Sequence, residues 1–230
     1  MLAKIAALMM GVTALATPVQ QQNTDVVIRA GEYENKPGKR IYVDQIFNVP
    51  EGIELRKDEE GYFISEWDIN VKLATKLAGY LTAYGVKTEL QVSKDKSEDL
   101  NNAGRIARAQ NPKIYLSIHH NYFKNDSTGY IYFVNPDDAK SYEYAKALSN
   151  SIKNNPGNLP EWEVREQETK YIGELNEKPG DINMLLEAGF FSNKDELDTI
   201  MNDEQIEFIA KETAKSLIDI LQEEYYKEEK

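Results

Sequence analysis

The residues of this chain that could do chemistry are few and lie at separate points of the sequence. The chain has two histidines, His119 and His120, and they are adjacent, so all imidazole chemistry must occur at that one place. It has no cysteine, which excludes disulfides, cysteine-ligated metals and cysteine nucleophiles. Glu187 ends an otherwise apolar run, where an unpaired carboxylate would be costly, so we interpret it as a functional residue.

The candidate residues lie at or just after the ends of predicted strands. Five runs are predicted to be strands, residues 25–30, 86–92, 113–118, 129–134 and 181–187, and the first, third and fifth of them lead to candidate residues. Glu32, His119 and Glu187 follow or end these runs. In α/β folds the reactive groups gather at the carboxyl ends of the strands, so we expect these three side chains at one edge of a sheet.

Predicted helices alternate with the strands. The helical segments are residues 65–84, 97–110, 136–153 and 203–224, the first capped by Ser65 with Asp68 and the third opened by Pro136. In the second segment, Leu100, Ile106 and Ala109 are the expected inward positions. The alternation predicts a single three-layer α/β domain with a twisted, mostly parallel sheet and helices on both faces. Residues 31–62 are predicted to be a long loop, with at most a small hairpin, that shapes or blocks a cleft.

The composition and the N-terminal sequence limit the possible partners and the location of the protein. The net charge of −12 excludes a nucleic-acid-binding surface, which must be basic. Residues 1–16 have the pattern of a secretory signal peptide, although a buried N-terminal helix is the alternative. The apolar run is too short for a membrane span, so none is expected after processing. We therefore expect an exported protein with a short linker at 17–23 and one domain at 24–230.

Three segments resemble a known enzyme family. SIHHN at 117–121, followed by Gly129, is similar to a strand-end S-x-H-x-N, and LLEAGFFSN at 185–193 is similar to L-x-E-x-G-F-x-S-N. Arg105 and Ala109 fit R-x-x-x-A-N, although Gln110 replaces the Asn. Together, and in this order, they resemble the zinc-dependent N-acetylmuramoyl-L-alanine amidases, which detach the peptide stem from the sugar of bacterial peptidoglycan.

The resemblance implies a Zn²⁺ ion held by His, Glu and His, with water in the fourth position. Glu66 matches the Glu ligand, His119 the second His, and Glu187 the general base that activates the water and protonates the leaving amine. It also implies peptidoglycan as the partner, and we expect a monomer located in the cell wall, the periplasm or outside the cell.

The chain departs from the family at the first ligand. Glu32 stands in place of the family's first His, and Arg29 stands where the family often has Asp. Glu32 is either a replacement ligand, giving a Glu32, Glu66, His119 site, or a surface acid that marks a lost site. His120 should point away from His119, since neighbours on a strand face opposite sides, and we expect it in solvent or behind the ligands.

Two functions from different classes follow. The first is hydrolysis of the amide bond between N-acetylmuramic acid and L-alanine. The second is a pseudoenzyme of this fold that binds peptidoglycan or a partner protein without cutting. A serine or cysteine hydrolase fits the sequence poorly, because the chain has no cysteine and no G-x-S-x-G elbow. The alternative to a functional role is an ordinary structural one. In that case His119 only makes hydrogen bonds, Glu66 is an acidic residue favoured at the start of a helix, and Arg105 forms a structural ion pair. Asn121 either orients the site or caps the following turn.

Overall fold

The computed structural model describes residues 24–32, 38–42, 53, 55–93, 100–162, 164–166 and 172–226. The predicted signal peptide and linker lie outside these residues. In chain order the elements are β1 (Val26–Ala30), β2 (Arg40–Tyr42), β3 (Arg56–Lys57), β4 (Tyr62–Ser65), α1 (Glu66–Ala83), β5 (Thr88–Val92), α2 (Leu100–Ala109), β6 (Ile114–Asn121), β7 (Ile131–Val134), α3 (Ala139–Ile152), β8 (Arg165–Glu166), α4 (Gly173–Asn176), β9 (Ile182–Phe190), α5 (Lys194–Ile200) and α6 (Asp203–Tyr225).

The central sheet has six strands in the order β5-β1-β6-β9-β7-β8. Strands β5, β1, β6 and β9 are mutually parallel, whereas β7 runs antiparallel to β9 and parallel to β8. The prediction of a mostly parallel sheet is therefore confirmed. The parallel core brings the carboxyl ends of β1, β6 and β9 side by side at one edge.

Alternate residues of these strands face two different helix layers. Val26, Ile28 and Ala30 of β1 join the large core beneath α1, α3 and α6. Val27 of β1 joins a smaller core with residues of α2 and α4. The three-layer prediction is confirmed. The same alternation assigns sides to the site residues, because odd-numbered His119 and even-numbered His120 must face different layers.

The start of α1 is fixed by the predicted capping box. The Ser65 side chain accepts a hydrogen bond from the backbone N–H of Asp68, and the Asp68 carboxylate accepts one from the Ser65 N–H. Gly85 follows the helix with a φ of +82°, the left-handed conformation that favours glycine. Because the cap fixes where the helix begins, Glu66 becomes its first residue, at the edge of the central sheet.

Three sequence-based expectations need correction. The described parts of residues 31–62 contain β2 and β3, which flank β4 in a second, antiparallel sheet of order β2-β4-β3. Helix α3 begins at Ala139, because Asp138, rather than Pro136, provides the cap by accepting a hydrogen bond from the Ser141 N–H.

The third correction concerns α2. Ile106 is 38% exposed and Ala109 is also exposed, while Ala103 and Ala107 are buried. The small side chains face inward because α2 packs closely on α4: a Cβ added at Gly104 would lie 2.5 Å from the carbonyl oxygen of Glu174. Among the described residues, no helix combines the length and apolarity needed to cross a membrane.

Candidate metal centre and acid-base residue

The site is assembled from the ends of three adjacent strands. In the parallel pairing of β6 with β9, His119 is the register partner of Glu187. In the pairing of β1 with β6, Arg29 is the partner of Ser117, two residues before His119. Arg29, His119 and Glu187 therefore lie at one end of the sheet, on the side that carries α2 and α4.

Gly31 leaves the space in which the His119 ring packs against the end of β1. The Gly31 N–H donates to the carbonyl oxygen of Ile118 at 2.8 Å, and a Cβ on Gly31 would lie 2.3 Å from the His119 ring. Residue 31 must therefore lack a side chain. Glu32 follows with a φ of 64°, an uncommon backbone conformation for a residue with a side chain. Strain of this kind is frequent at functional sites.

Glu66 is buried beside the ring. Its Oε1 lies 3.3 Å from His119 Nδ1 and accepts hydrogen bonds at 3.4 Å from the His120 N–H and from Asn70 Nδ2. Although burial opposes ionisation, the hydrogen bond and charge of His119 lower the pKa of Glu66. Its carboxylate is therefore available as an anionic ligand.

Glu32, Glu66 and His119 form a group suited to a metal ion. Each offers one ligand atom, and these atoms all lie within 4.8 Å of one another. Zinc takes such N and O donors at bond lengths near 2.0–2.2 Å, which puts neighbouring tetrahedral ligand atoms about 3.4 Å apart. The measured 3.3 Å between His119 Nδ1 and Glu66 Oε1 fits that spacing.

His120 lies on the opposite face of β6, as the alternation predicts. It is 3% exposed, and its Nδ1 lies 2.8 Å from Asn70 Oδ1 on α1. Burial is the main cause that lowers the pKa of His120 to about 4, so the ring is neutral near pH 7. Of the two predicted placements, the one behind the candidate ligands is correct: Asn70 links His120 to Glu66.

Glu187 has the character of an acid-base group. Its Oε2 is shielded from solvent and has no hydrogen-bond partner among the described residues. Burial, followed by neighbouring carboxylates, raises the pKa of Glu187 from 4.5 to about 8, although His119 opposes this. A carboxyl group with a pKa near the working pH can both take up and release a proton.

Glu174 is the site residue that sequence reasoning missed. It lies on the short helix α4, is 1% exposed, and its Oε1 lies 2.7 Å from His119 Nε2. Burial would raise the pKa of Glu174, but His119 and then Arg29 lower it to about 2. The available signal was Arg29, a cation within the apolar strand 26–30 that requires a buried anion.

His119 therefore lies between two carboxylates. Burial would lower the pKa of its ring, but Glu174, Glu66 and Glu187 raise it well above the usual value. In the metal-free protein His119 is accordingly protonated near pH 7.

A cavity of about 370 Å³ lies just past the ends of β6 and β9. It is lined by residues that follow the site strands, Tyr122 after β6 and Phe191 after β9, together with Arg40 of β2 and Lys194 of α5. Gly38, two residues before Arg40, lies close to the candidate ligand Glu66, since a Cβ there would lie 2.7 Å from Glu66 Oε2.

Two residues of the sequence motifs lie apart from the ligands. Arg105 is exposed on α2, and Asn121 accepts a hydrogen bond from the Phe191 N–H through its backbone carbonyl at 2.7 Å. The backbone of Asn121 thus ties the end of β6 to the end of β9.

Solved structures share this fold. They include an N-acetylmuramoyl-L-alanine amidase from Clostridium difficile 630, at 18% identity and a TM-score of 0.67, covering 88% of this chain and 99% of that one. AmiC2 of Nostoc punctiforme has 21% identity and a TM-score of 0.67, covering 87% and 98%. The CwlD amidase of Clostridioides difficile, solved in complex with the GerS lipoprotein, has 22% identity and a TM-score of 0.67, covering 88% and 100%.

The chain was compared with curated proteins and with sequence models of protein families. No curated protein matches the chain significantly. The sequence model of the N-acetylmuramoyl-L-alanine amidase family matches residues 26–219, which is most of the chain and includes the ends of β1, β6 and β9. The chain belongs to the N-acetylmuramoyl-L-alanine amidase family of peptidoglycan hydrolases.

Proposed function

We propose that this amidase cleaves the bond between N-acetylmuramic acid and L-alanine with a zinc ion held by Glu32, Glu66 and His119. The observation that carries the proposal is the convergence of these three ligand atoms within 4.8 Å, beside Glu187. The donor set of one imidazole and two carboxylates is one that zinc accepts.

Glu187 is proposed as the proton carrier. Bound zinc would supply a water of lowered pKa and polarise the amide carbonyl. Glu187 Oε2, which has no hydrogen-bond partner among the described residues, is free to accept the proton of that water. The same carboxyl then protonates the leaving nitrogen of L-alanine, so a single group serves as base and acid.

The remaining residues orient this set. Gly31 lets the His119 ring lie against the end of β1, and Asn70 binds the Glu66 carboxylate. The cavity formed by Arg40, Tyr122, Phe191 and Lys194 is proposed to hold the substrate next to the site. Its lining carries two cations, Arg40 and Lys194, and one anion, Asp195, and Arg40 is already paired with Asp58.

Glu32 gives the proposed site a different charge from one with two histidines. Two anionic ligands leave the Zn²⁺ unit formally neutral, whereas one leaves it formally positive. A less positive centre acidifies water less and stabilises a developing oxyanion less. We therefore expect slower turnover than from the same site with His in place of Glu32.

The cellular setting is proposed from the sequence. The pattern of residues 1–16 and a wall polymer as substrate both support export. We also propose that the enzyme works as a monomer, because the ligands and Glu187 all come from one chain.

The test is digestion of purified peptidoglycan by the zinc-supplemented protein, with the products read by mass spectrometry. Stem peptides that begin with L-alanine are expected, and they should be absent with Glu187→Gln. Binding without release, across several metals and wall types, would instead establish a pseudoenzyme that recognises peptidoglycan.

A further inference from the structure

His119 contacts two carboxylates, one at each of its ring nitrogens. Glu66 Oε1 lies 3.3 Å from Nδ1, whereas Glu174 Oε1 lies 2.7 Å from Nε2. We propose that Glu174 is a positioning residue that holds His119 in the tautomer required for metal binding, an inference that rests on the proposed function.

The hydrogen bond dictates which nitrogen is protonated. An ionised carboxylate can only accept, so Nε2 must carry the proton it donates to Glu174. When His119 is neutral, its lone pair is then on Nδ1. That nitrogen faces Oε1 of Glu66, another of the three proposed ligands. Glu174 thus directs the lone pair toward the metal position.

The Glu174 carboxylate is itself held through its other oxygen. Tyr115 donates its hydroxyl hydrogen to Oε2 at 2.9 Å, and Arg29 Nε lies 3.5 Å from the same oxygen. Tyr115 is fully buried, and the side chains of Arg29 and Glu174 are each 1% exposed. Both oxygens are therefore engaged, and the carboxylate cannot rotate away from His119 without breaking buried hydrogen bonds.

The backbone also fixes this arrangement. Helix α4 packs against α2 at Gly104, where a Cβ would lie 2.5 Å from the Glu174 carbonyl oxygen. This close contact fixes the position of Glu174 relative to the edge of the sheet. Arg29 gives the buried carboxylate a cationic neighbour, which explains how a cation is accommodated in the apolar strand β1.

The expected effect of losing Glu174 is on metal affinity. Metal-bound histidines generally donate their other ring N–H to a carboxylate or carbonyl, and removing that acceptor weakens metal binding about 10–100-fold. Glu174→Gln keeps the size of the side chain but removes its charge. We expect the dissociation constant for zinc to rise about tenfold or more in this variant.

The experiment measures zinc affinity by competition with a chelator in the full chain. The variants are Glu174→Gln and Tyr115→Phe, and Glu177→Gln removes another carboxylate near the end of α4 as the control. Tyr115→Phe leaves the charge of Glu174 in place, so it tests the inference even if Glu174→Gln fails to fold. It should weaken zinc binding in the same direction, and the control should match the wild type.

A second readout detects the tautomer directly. Since the chain has only two histidines, long-range ¹H–¹⁵N NMR of the zinc-loaded protein contains two imidazole rings. His119 should show a protonated Nε2 and a metal-bound Nδ1, and the Nε2 proton should shift upfield in Tyr115→Phe. A merely structural role for Glu174 would not move that signal.

Each failure has a distinct meaning. If the wild type binds zinc and folded Glu174→Gln and Tyr115→Phe bind it equally well, the positioning role is overturned and the proposed function stands. A proton on Nδ1 of zinc-loaded His119 overturns it as well. If the wild type binds no zinc, the metal site and the positioning role are overturned together.

Discussion

Replacing Glu187 with Gln should stabilise the metal-free protein, and increasingly so as the pH rises. The Glu187 side chain is partly buried and its Oε2 has no hydrogen-bond partner among the described residues. An ionised carboxylate is costly in that setting, whereas the amide of Gln is neutral at every pH. The substitution therefore removes a charge that the folded state tolerates poorly.

The magnitude follows from the shifted pKa. Burial is the largest cause that raises the pKa of Glu187 from 4.5 to about 8. Between pH 5 and pH 8 the folded carboxyl keeps a proton that the unfolded one has lost. The wild type therefore loses about 1.4 kcal/mol of unfolding free energy per pH unit. Because Glu187 begins to ionise near pH 8 and its side chain is partly exposed, the total loss of unfolding free energy between pH 5 and pH 8 is about 3 kcal/mol.

The assay is urea unfolding of both proteins at pH 5, 6, 7 and 8 in the presence of a strong chelator. The useful quantity is the difference in unfolding free energy between variant and wild type, because groups that do not interact with Glu187 cancel in it. That difference should grow by about 3 kcal/mol from pH 5 to pH 8. Glu166→Gln, at an exposed residue of β8, serves as the control for the loss of a carboxylate.

A difference that stays constant with pH would refute the reasoning. It would mean that the folded protein ionises Glu187 as readily as the unfolded chain does. Glu187 could then not hold a proton near neutral pH, and its assignment as the acid that protonates the leaving amine would lose its physical basis.

Four further predictions concern the site and its supports. Glu32→His should increase kcat, because it removes one anionic ligand and leaves the bound zinc a stronger Lewis acid; the wall digest measures this. Gly31→Ala should cost about 2 kcal/mol in urea unfolding and abolish zinc binding, because its Cβ would lie 2.3 Å from the His119 ring. Ser65→Ala should cost about 1 kcal/mol in the same assay, because α1 loses its cap. Zinc affinity should rise with pH, because the raised pKa of His119 means that binding releases a proton; calorimetry in two buffers counts it.

The sequence predicted those parts of the site that depend on local pattern. Apolar runs located β1, β6 and β9, and the strand-end rule then placed His119 and Glu187 together. The capping box located the start of α1, and with it Glu66. In each case a few neighbouring residues determine the local structure, so the pattern is readable without knowing the tertiary packing.

Glu174 could not be predicted in this way, because its role comes from packing alone. It is one of several acidic residues in a polar stretch, and α4 has only four residues, too few to show a helical period. Its burial results from the contact of α4 with α2 at Gly104 and from the cation of Arg29. The inward face of α2 was missed for a related reason, since alanines give a weak hydrophobic signal.

The charges at the sheet edge explain how a site of this kind can tolerate Glu32 in place of a histidine. Glu32, Glu66 and Glu187 lie near His119, and in the metal-free state their repulsion is relieved by protons, one on His119 and one on Glu187 near neutral pH. A divalent cation can replace those protons. Glu174 adds to the repulsion at Glu187, and the cation of Arg29 beside it offsets part of this charge.

The extra carboxylate at position 32 therefore has two opposite effects on the proposed site. It attracts a cation more strongly than a neutral imidazole would, but it also makes the bound cation a weaker Lewis acid. The chemistry then depends more heavily on Glu187, whose proton must move under a smaller driving force. For this reason the pKa of Glu187, rather than the presence of metal alone, should decide how fast this amidase turns over.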